Sequence, residues 1–397
     1  MTEAQTFVGA GSPSWATGDE AYQPKWPRLA RGVDGVVARA RLRPVRHLPV
    51  TASAPAEPPR VTRVQGFGLL PQELATLGVP AAQASFARLQ RPWLWQAGAP
   101  TSSKGAAAVL GALGLELPRI VERHPSSDGS CKLLLELGQE RIEAVHMPRA
   151  IGSGRVTLCI SSQIGCAMGC GFCATASMGF HRHLSAGEIV AQVLCVISEL
   201  GPRQPGELTL VFMGMGEPLH NLSEVSRAIA VLCHPQGLGL SPRRVTVSTS
   251  GLVPELDELG RQSPRPLLAL SLNATTDEVR SQLMPIGRRY PLAALKSALL
   301  RFPLRPRERI TIEYVLLAGV NDFDDDAVRL SDFCADFPHN INLIPFNEHP
   351  LASFRAPTEA RVERFARALL ARKKTLVTVR RSRGRDVQAA CGQLVQS

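Results

Sequence analysis

Six short apolar segments, separated by amphipathic stretches, constrain the fold of this chain more than any other feature. They read RVTLCIS (155–161), LTLVFMG (208–214), RRVTVST (243–249), PLLALSL (266–272), RITIEYVLL (309–317) and INLIPF (341–346). The clearest helix between them spans 186–200. Ser185 and Glu188 form a capping box at its start, and Ile189, Val193, Val196, Ile197 and Leu200 recur at helical spacing. Near-continuous apolar strands alternating with such helices imply parallel strands covered by helices. Six units predict an α/β fold, an open partial (β/α)6 barrel, whose site lies at the C-terminal strand ends. The distinctive sequences fall there: a cysteine-rich loop after the first strand, then GMGEP, STSG, SLNA and PFN.

The 397 residues leave room for accessory pieces before this core. Residues 1–64 are rich in Pro, Ala, Gly and Arg, and the stretch VTASAPAEPPR predicts a flexible, disordered basic arm. Residues 65–115 predict a short helical accessory region, carried by LPQELATLGV and AAQASFARLQRPWLWQAG. Residues 116–150 predict a small β-hairpin extension, with strands at 131–137 and 141–147 around a Gly-Gln turn. Residues 151–397 make the core and its C-terminal tail. The net charge of +11 favours a polyanionic partner, RNA or DNA. Nine cysteines, an odd number with three clustered, suit a reducing cytosol better than a disulfide framework. The N-terminus lacks the basic and apolar regions of a signal peptide, and no apolar run is long enough to span a bilayer. A cytoplasmic protein, without a membrane partner, is expected.

Cys166, Cys170 and Cys173 are spaced C-x3-C-x2-C in SSQIGCAMGCGFCATA. Three thiolates on one loop can hold three irons of a [4Fe-4S] cluster and leave the fourth open to a small molecule. A zinc site is the alternative, with His181 or His183 as a fourth ligand. In MGMGEP the glycines let a ligand approach the backbone, and Glu217 can accept hydrogen bonds from an ammonium group; the same sequence also suits a tight strand–helix turn. Ser248 in STSG and Asn347 in PFN are ligand contacts or turn residues. Cys195, Cys233 and Cys334 read as small buried hydrophobes, whereas Cys391 sits in a small-residue tail. That tail follows ARKKTLVTVRRSRGRD, where Arg372, Lys373, Lys374, Arg380, Arg381, Arg383 and Arg385 face one Asp386. The stretch reads as an RNA-facing surface or as a solvated edge.

Taken in order, SSQIGCAMGCGFCATASMGFHRHLSAGEIVAQV, MGMGEPLHN, RRVTVSTSG, NLIPFN and AACGQL resemble the RlmN/Cfr radical S-adenosylmethionine RNA methyltransferases. The resemblance runs from about residue 116 to the C-terminus. It implies a [4Fe-4S] cluster on Cys166, Cys170 and Cys173. It implies S-adenosylmethionine, two molecules per turnover, bound by Gly216, Glu217, Ser248, Ser271, Leu272, Asn273 and Asn347. It also implies a methyl-carrying Cys391, a second catalytic cysteine at Cys159 that pairs with it in a disulfide, and Glu143 as proton acceptor. RNA, ribosomal or transfer, is the implied substrate. An electron donor such as flavodoxin or ferredoxin is the implied partner of a monomeric enzyme. GMGEP and RRSRGRD look more like the RlmN branch, which methylates C2 of adenosine, than the Cfr branch, which methylates C8. Two departures stand out: the N-terminal region matches the family pattern poorly, and Asn273 replaces a usual His. A non-catalytic Fe–S or zinc RNA-binding protein would need neither Cys159 nor Cys391.

Overall fold

The computed structural model describes residues 5–7 (backbone only), 65–91, 115, 117–149, 154–201, 205–372, 376–380, 383–389 and 392–394. The chain divides into two units, Met1–Gly9 with Thr62–Ser397 and Ala10–Val61. The second unit lies outside the described residues, so the structure of the first is given alone.

In chain order the elements are β1 (Gln5–Phe7), α1 (Pro71–Thr76), α2 (Ala82–Leu89), β2 (Arg119–Pro125), β3 (Cys131–Leu137), β4 (Glu140–Pro148), β5 (Val156–Cys159), β6 (Gln163–Gly165), α3 (Ala174–Ser177), β7 (Phe180–His183) and α4 (Ala186–Leu200). There follow β8 (Leu208–Phe212), α5 (Leu222–Cys233), β9 (Val245–Thr249), α6 (Val253–Arg261), β10 (Leu267–Ser271), α7 (Asp277–Leu283), α8 (Leu292–Arg301), β11 (Ile310–Leu316), α9 (Asp324–Phe333), β12 (His339–Pro345), α10 (Glu359–Arg372) and β13 (Leu376–Val379).

The six expected strands are β5, β8, β9, β10, β11 and β12, all parallel neighbours in that order. A partial barrel is the architecture, with two additions. β13 joins as a further parallel strand beside β12, and the antiparallel β2–β3–β4 extends the sheet at the β5 edge. The expected hairpin is β3–β4, and β2 adds a third strand to it. Gln5–Phe7, inside the stretch expected to be a disordered arm, pairs antiparallel with β13. That pairing takes up backbone groups that an edge strand would otherwise present open.

Register sorts the side chains onto two faces. Leu158, Leu210 and Val245 are consecutive neighbours across the sheet, as are Leu270, Ile312 and Ile341. These residues are buried and face the helices. Tyr314 of β11, on the same face, stacks on Phe365 of α10 at 5.6 Å. One residue out of step, the inner face carries Cys159 beside Val211, Val211 beside Thr246, then Ser248, Ser271, Glu313 and Asn342. Lys132 and Val145, and hence Glu143, continue this face onto β3 and β4.

Helix α4 forms as its sequence dictates. Ser185 Oγ accepts the Glu188 amide at 3.2 Å and Glu188 Oε2 accepts the Ser185 amide at 2.9 Å. Arg182 of β7 grips the same carboxylate with two bonds of 2.9 Å, tying the β6–β7 ribbon to the helix. The accessory helices dock through Arg227 of α5, which donates to Gly68 O at 3.0 Å and pairs with Glu73. Among the described residues no helix is long and apolar enough to cross a membrane.

Candidate active site

The loop between β6 and β7 carries the three clustered cysteines. It is closed at its base by the ribbon, where the Cys166 amide donates to Gly179 O at 2.8 Å. Gly165 stands at φ +70°, and a Cβ there would lie 1.9 Å from Gly179 O, so the closure requires glycine. The chain then turns, with the Cys173 amide donating to Cys170 O at 3.1 Å, and enters α3. All three cysteines line one cavity that opens to solvent.

The strand ends supply the rest of its wall. After β8, Gly216 has φ +97° and packs against Gln163, where any Cβ would come within 2.5 Å of Gln163 Cβ. The Gln163 side-chain oxygen accepts the Glu217 amide at 2.8 Å. Glu217 is buried at the cavity, its carboxylate accepting the amides of Leu219 at 3.0 Å and Ser250 at 2.7 Å. Burial pushes its pKa above the ordinary glutamate value, against the pull of these donors. A ligand ammonium would offset that cost.

Ser248, Ser271, Asn273 and Asn347 also line the cavity. Asn273 stands at φ +58°, in the left-handed region that Asn tolerates. Its Oδ1 accepts the Val315 amide at 2.9 Å and its carbonyl accepts Asn321 Nδ2 at 2.7 Å. Its side chain is therefore fixed by the fold. Leu272 differs from the other expected contacts. Its side chain is buried in the apolar core, and its amide donates to Glu313 O at 3.0 Å.

Glu313 was not anticipated from the sequence. It lines the cavity from β11, accepts Asn342 Nδ2 at 3.0 Å, and has Arg380 Nη1 at 3.9 Å. The signal available was a lone carboxylate inside the apolar strand RITIEYVLL.

Cys159 and Glu143 lie on the inner face of the sheet and are buried, but neither is among the cavity-lining residues. Glu143 pairs with Lys132 at 2.9 Å, with both side chains enclosed. Cys391 lies outside the described residues, as do Lys373, Lys374 and Arg381. Residues just after Cys391 are held by hydrogen bonds to α3. Gly392 O accepts the Ala174 amide at 2.7 Å, Leu394 O accepts Thr175 Oγ1 at 2.5 Å, and both residues line the cavity. Upstream, Ser126 Oγ donates to Asp386 at 2.6 Å, and the Gly384 amide donates to Asp128 at 3.1 Å. Among the described residues, members of the expected RNA-facing basic stretch are engaged within the protein. Arg383 is buried and donates to Pro148 O, and Arg372 pairs with Asp332 at 3.1 Å.

The donor chemistry fits an iron–sulfur cluster. Burial pushes the Cys166 thiol up to about 12 and Cys170 well above the usual thiol value, and the neighbouring thiolates add to both. Three thiolates here need cationic partners, which irons supply. Among the described residues no group of three His, Cys, Asp or Glu converges as ligands of a single metal ion would. A cluster instead takes each thiolate on its own iron. His183, considered as a zinc ligand, instead bonds Gln163 Nε2 at 3.0 Å through Nδ1.

Partial barrel, cysteine loop and strand-end cavity together define a radical S-adenosylmethionine enzyme, and residues 160–331 match the radical SAM superfamily model. The chain is 53% identical over 270 residues to the dual-specificity RNA methyltransferase RlmN of Geobacter sulfurreducens, covering 68% of this chain and 72% of that one. It is 46% identical over 359 residues to the same enzyme of an Anaeromyxobacter species, covering 86% and 93%. A radical SAM methyltransferase from Sphaerobacter thermophilus superposes with a TM-score of 0.76 at 39% identity, covering 84% and 99%. The chain belongs to the RlmN family of radical S-adenosylmethionine RNA methyltransferases. A [4Fe-4S] cluster, S-adenosylmethionine and an RNA substrate come with that membership.

Proposed function

We propose that this enzyme methylates C2 of an adenosine in ribosomal RNA, transfer RNA or both, through a methyl group carried on Cys391. The observation that carries the reading is one cavity lined by Cys166, Cys170 and Cys173, by Glu217, and by Gly392, the residue after Cys391.

Cys166, Cys170 and Cys173 would hold the cluster, while Gly216, Glu217, Ser248, Ser271, Asn273, Asn347 and the Leu272 backbone would hold S-adenosylmethionine. Glu217 is suited to the ammonium. When bound, these groups supply a methyl cation equivalent and a 5′-deoxyadenosyl radical, using two S-adenosylmethionine molecules per turnover. C2 of adenine is not nucleophilic, so direct attack on a sulfonium methyl would fail. The protein's thiols solve this. Cys391 accepts the methyl group, loses a hydrogen atom from it, and bonds the carbon to C2. Glu143 accepts the ring proton, held in place by Lys132, and the odd electron left on the adduct would return to the cluster. Cys159 then attacks the Cys391 sulfur, breaking its bond to carbon and forming a disulfide as the methylated base leaves with a proton. The target base must be unpaired or extruded to reach the strand ends.

An external donor such as flavodoxin or ferredoxin would reduce the cluster and, later, a thiol system the disulfide. The enzyme acts as a cytoplasmic monomer in this reading, with residues 151–397 as the catalytic core, 116–150 and 65–115 as accessory regions, and 1–64 as a basic arm.

Nucleoside mass spectrometry of separated ribosomal and transfer RNA, in wild type and a deletion strain, tests the proposal. Loss of 2-methyladenosine from either pool supports it and identifies the substrate. Loss of 8-methyladenosine instead would assign the C8 reaction and overturn it.

A further inference from the structure

A buried cation stands beside the cysteine loop, and the chemistry above makes no use of it. Arg280 of α7 is 0% exposed and is among the largest fully buried side chains. Its Nη2 donates to Ser250 O at 2.5 Å. Its Nε and Nη1 are enclosed and have no hydrogen-bond partner among the described residues. Burial pulls the guanidinium down to about 10, and the nearby Cys170 thiolate and Asp277 act the other way.

The surroundings fix where this charge points. Leu283 O, at the end of α7, accepts the Gly171 amide at 2.9 Å, so the helix abuts the loop between Cys170 and Cys173. Met284, the next residue, lines the cavity, as does Ser250, and a Cβ on Gly251 would meet Arg280 Nη2 at 3.4 Å. The guanidinium is thus held by the backbone that follows β9, against the cavity wall, and is not among the residues that line it. An enclosed guanidinium with orphaned donors is costly unless negative charge lies nearby. Three thiolates around a [4Fe-4S] cluster carry net negative charge, and reduction adds one more electron to it.

We infer that Arg280 raises the reduction potential of the cluster through its buried positive charge, making the electron transfer that starts turnover easier. It acts by its field, favouring the more negative state, and touches neither substrate nor cofactor. The inference rests on the reading that Cys166, Cys170 and Cys173 hold the cluster.

The test is a redox titration of anaerobically reconstituted full-length protein, followed by the electron paramagnetic resonance signal of the reduced cluster, without RNA. Wild type, R280Q and R280K are compared, with circular dichroism to confirm folding. The expected result is a midpoint shifted to more negative potential in R280Q and close to wild type in R280K. Cluster retention in R280K but not in R280Q also supports a role for the charge. A wild-type midpoint in R280Q overturns the inference, and so does loss of iron or of fold in both variants, which would mark Arg280 as a packing residue. Absence of a cluster signal in wild type itself would instead refute the assignment of the three cysteines.

Discussion

The central sheet has two faces built from the same strands, and they carry different duties. The outer face is a continuous apolar surface, with Leu158, Leu210, Val245, Leu270, Ile312 and Ile341 in register under the helices. The inner face holds Thr246, Ser248, Ser271, Glu313 and Asn342, with the cavity at its C-terminal edge. Side chains alternate with a period of two, so a one-residue slip would exchange the faces. Apolar packing is concentrated on one side, and polar side chains and the cavity on the other. Lys132 and Glu143 are the exception, an enclosed ion pair on the inner side.

Substitutions on each face should separate these duties. Cys170→Ala has the largest expected effect on activity: methylation and the iron signal are lost, while the unfolding free energy of the iron-free protein moves by about 1 kcal/mol or less. A stability loss in the iron-free protein as large as that of an outer-face core truncation would show that Cys170 also serves folding. Lys132→Met should cost about 3–5 kcal/mol, because it leaves the Glu143 charge buried alone. Adding Glu143→Leu should recover much of that in denaturant unfolding. Ile312→Ala on the outer face should cost about 2–5 kcal/mol through the cavity it leaves, with S-adenosylmethionine affinity of the folded fraction unchanged in calorimetry.

The smallest effect concerns pH. Glu217 has its pKa raised by burial, so its carboxylate is lost, as pH falls, earlier than an ordinary glutamate would be. S-adenosylmethionine affinity should therefore weaken on acidification, starting above the usual glutamate range. Glu217→Gln should bind about 1.5–3 kcal/mol more weakly and show no such dependence. In the ligand-free protein the sign is opposite. An acid whose folded pKa is raised favours folding below that pKa, and the contribution is lost as pH rises through it.

The six parallel strands were legible because each is a strong apolar run, and α4 because its capping box and spacing agree. The β6–β7 ribbon was not, since three residues such as Gln163–Gly165 carry no periodicity. Glu313 was hidden by its apolar neighbours. Arg280 reads in DEVRSQL as an ordinary surface charge, and tertiary packing, with Ser250, Gly251 and Gly287 among its neighbours, encloses it. The family resemblance places Leu272 among the ligand contacts, yet alternation turns its side chain into the core. Charge clustering alone reads Arg383 as part of an RNA-facing surface or a solvated edge, and its bond to Pro148 O is not visible in sequence.

In the proposed mechanism Cys391 delivers carbon to the inner-face cavity. The most direct test incubates reconstituted enzyme with S-adenosylmethionine bearing a labelled methyl group and maps the label by peptide mass spectrometry. The expected result is a labelled methyl on Cys391 before RNA is added, lost from the protein and found on adenosine afterwards. Methylated RNA formed by a protein that never carries label on Cys391 would contradict it.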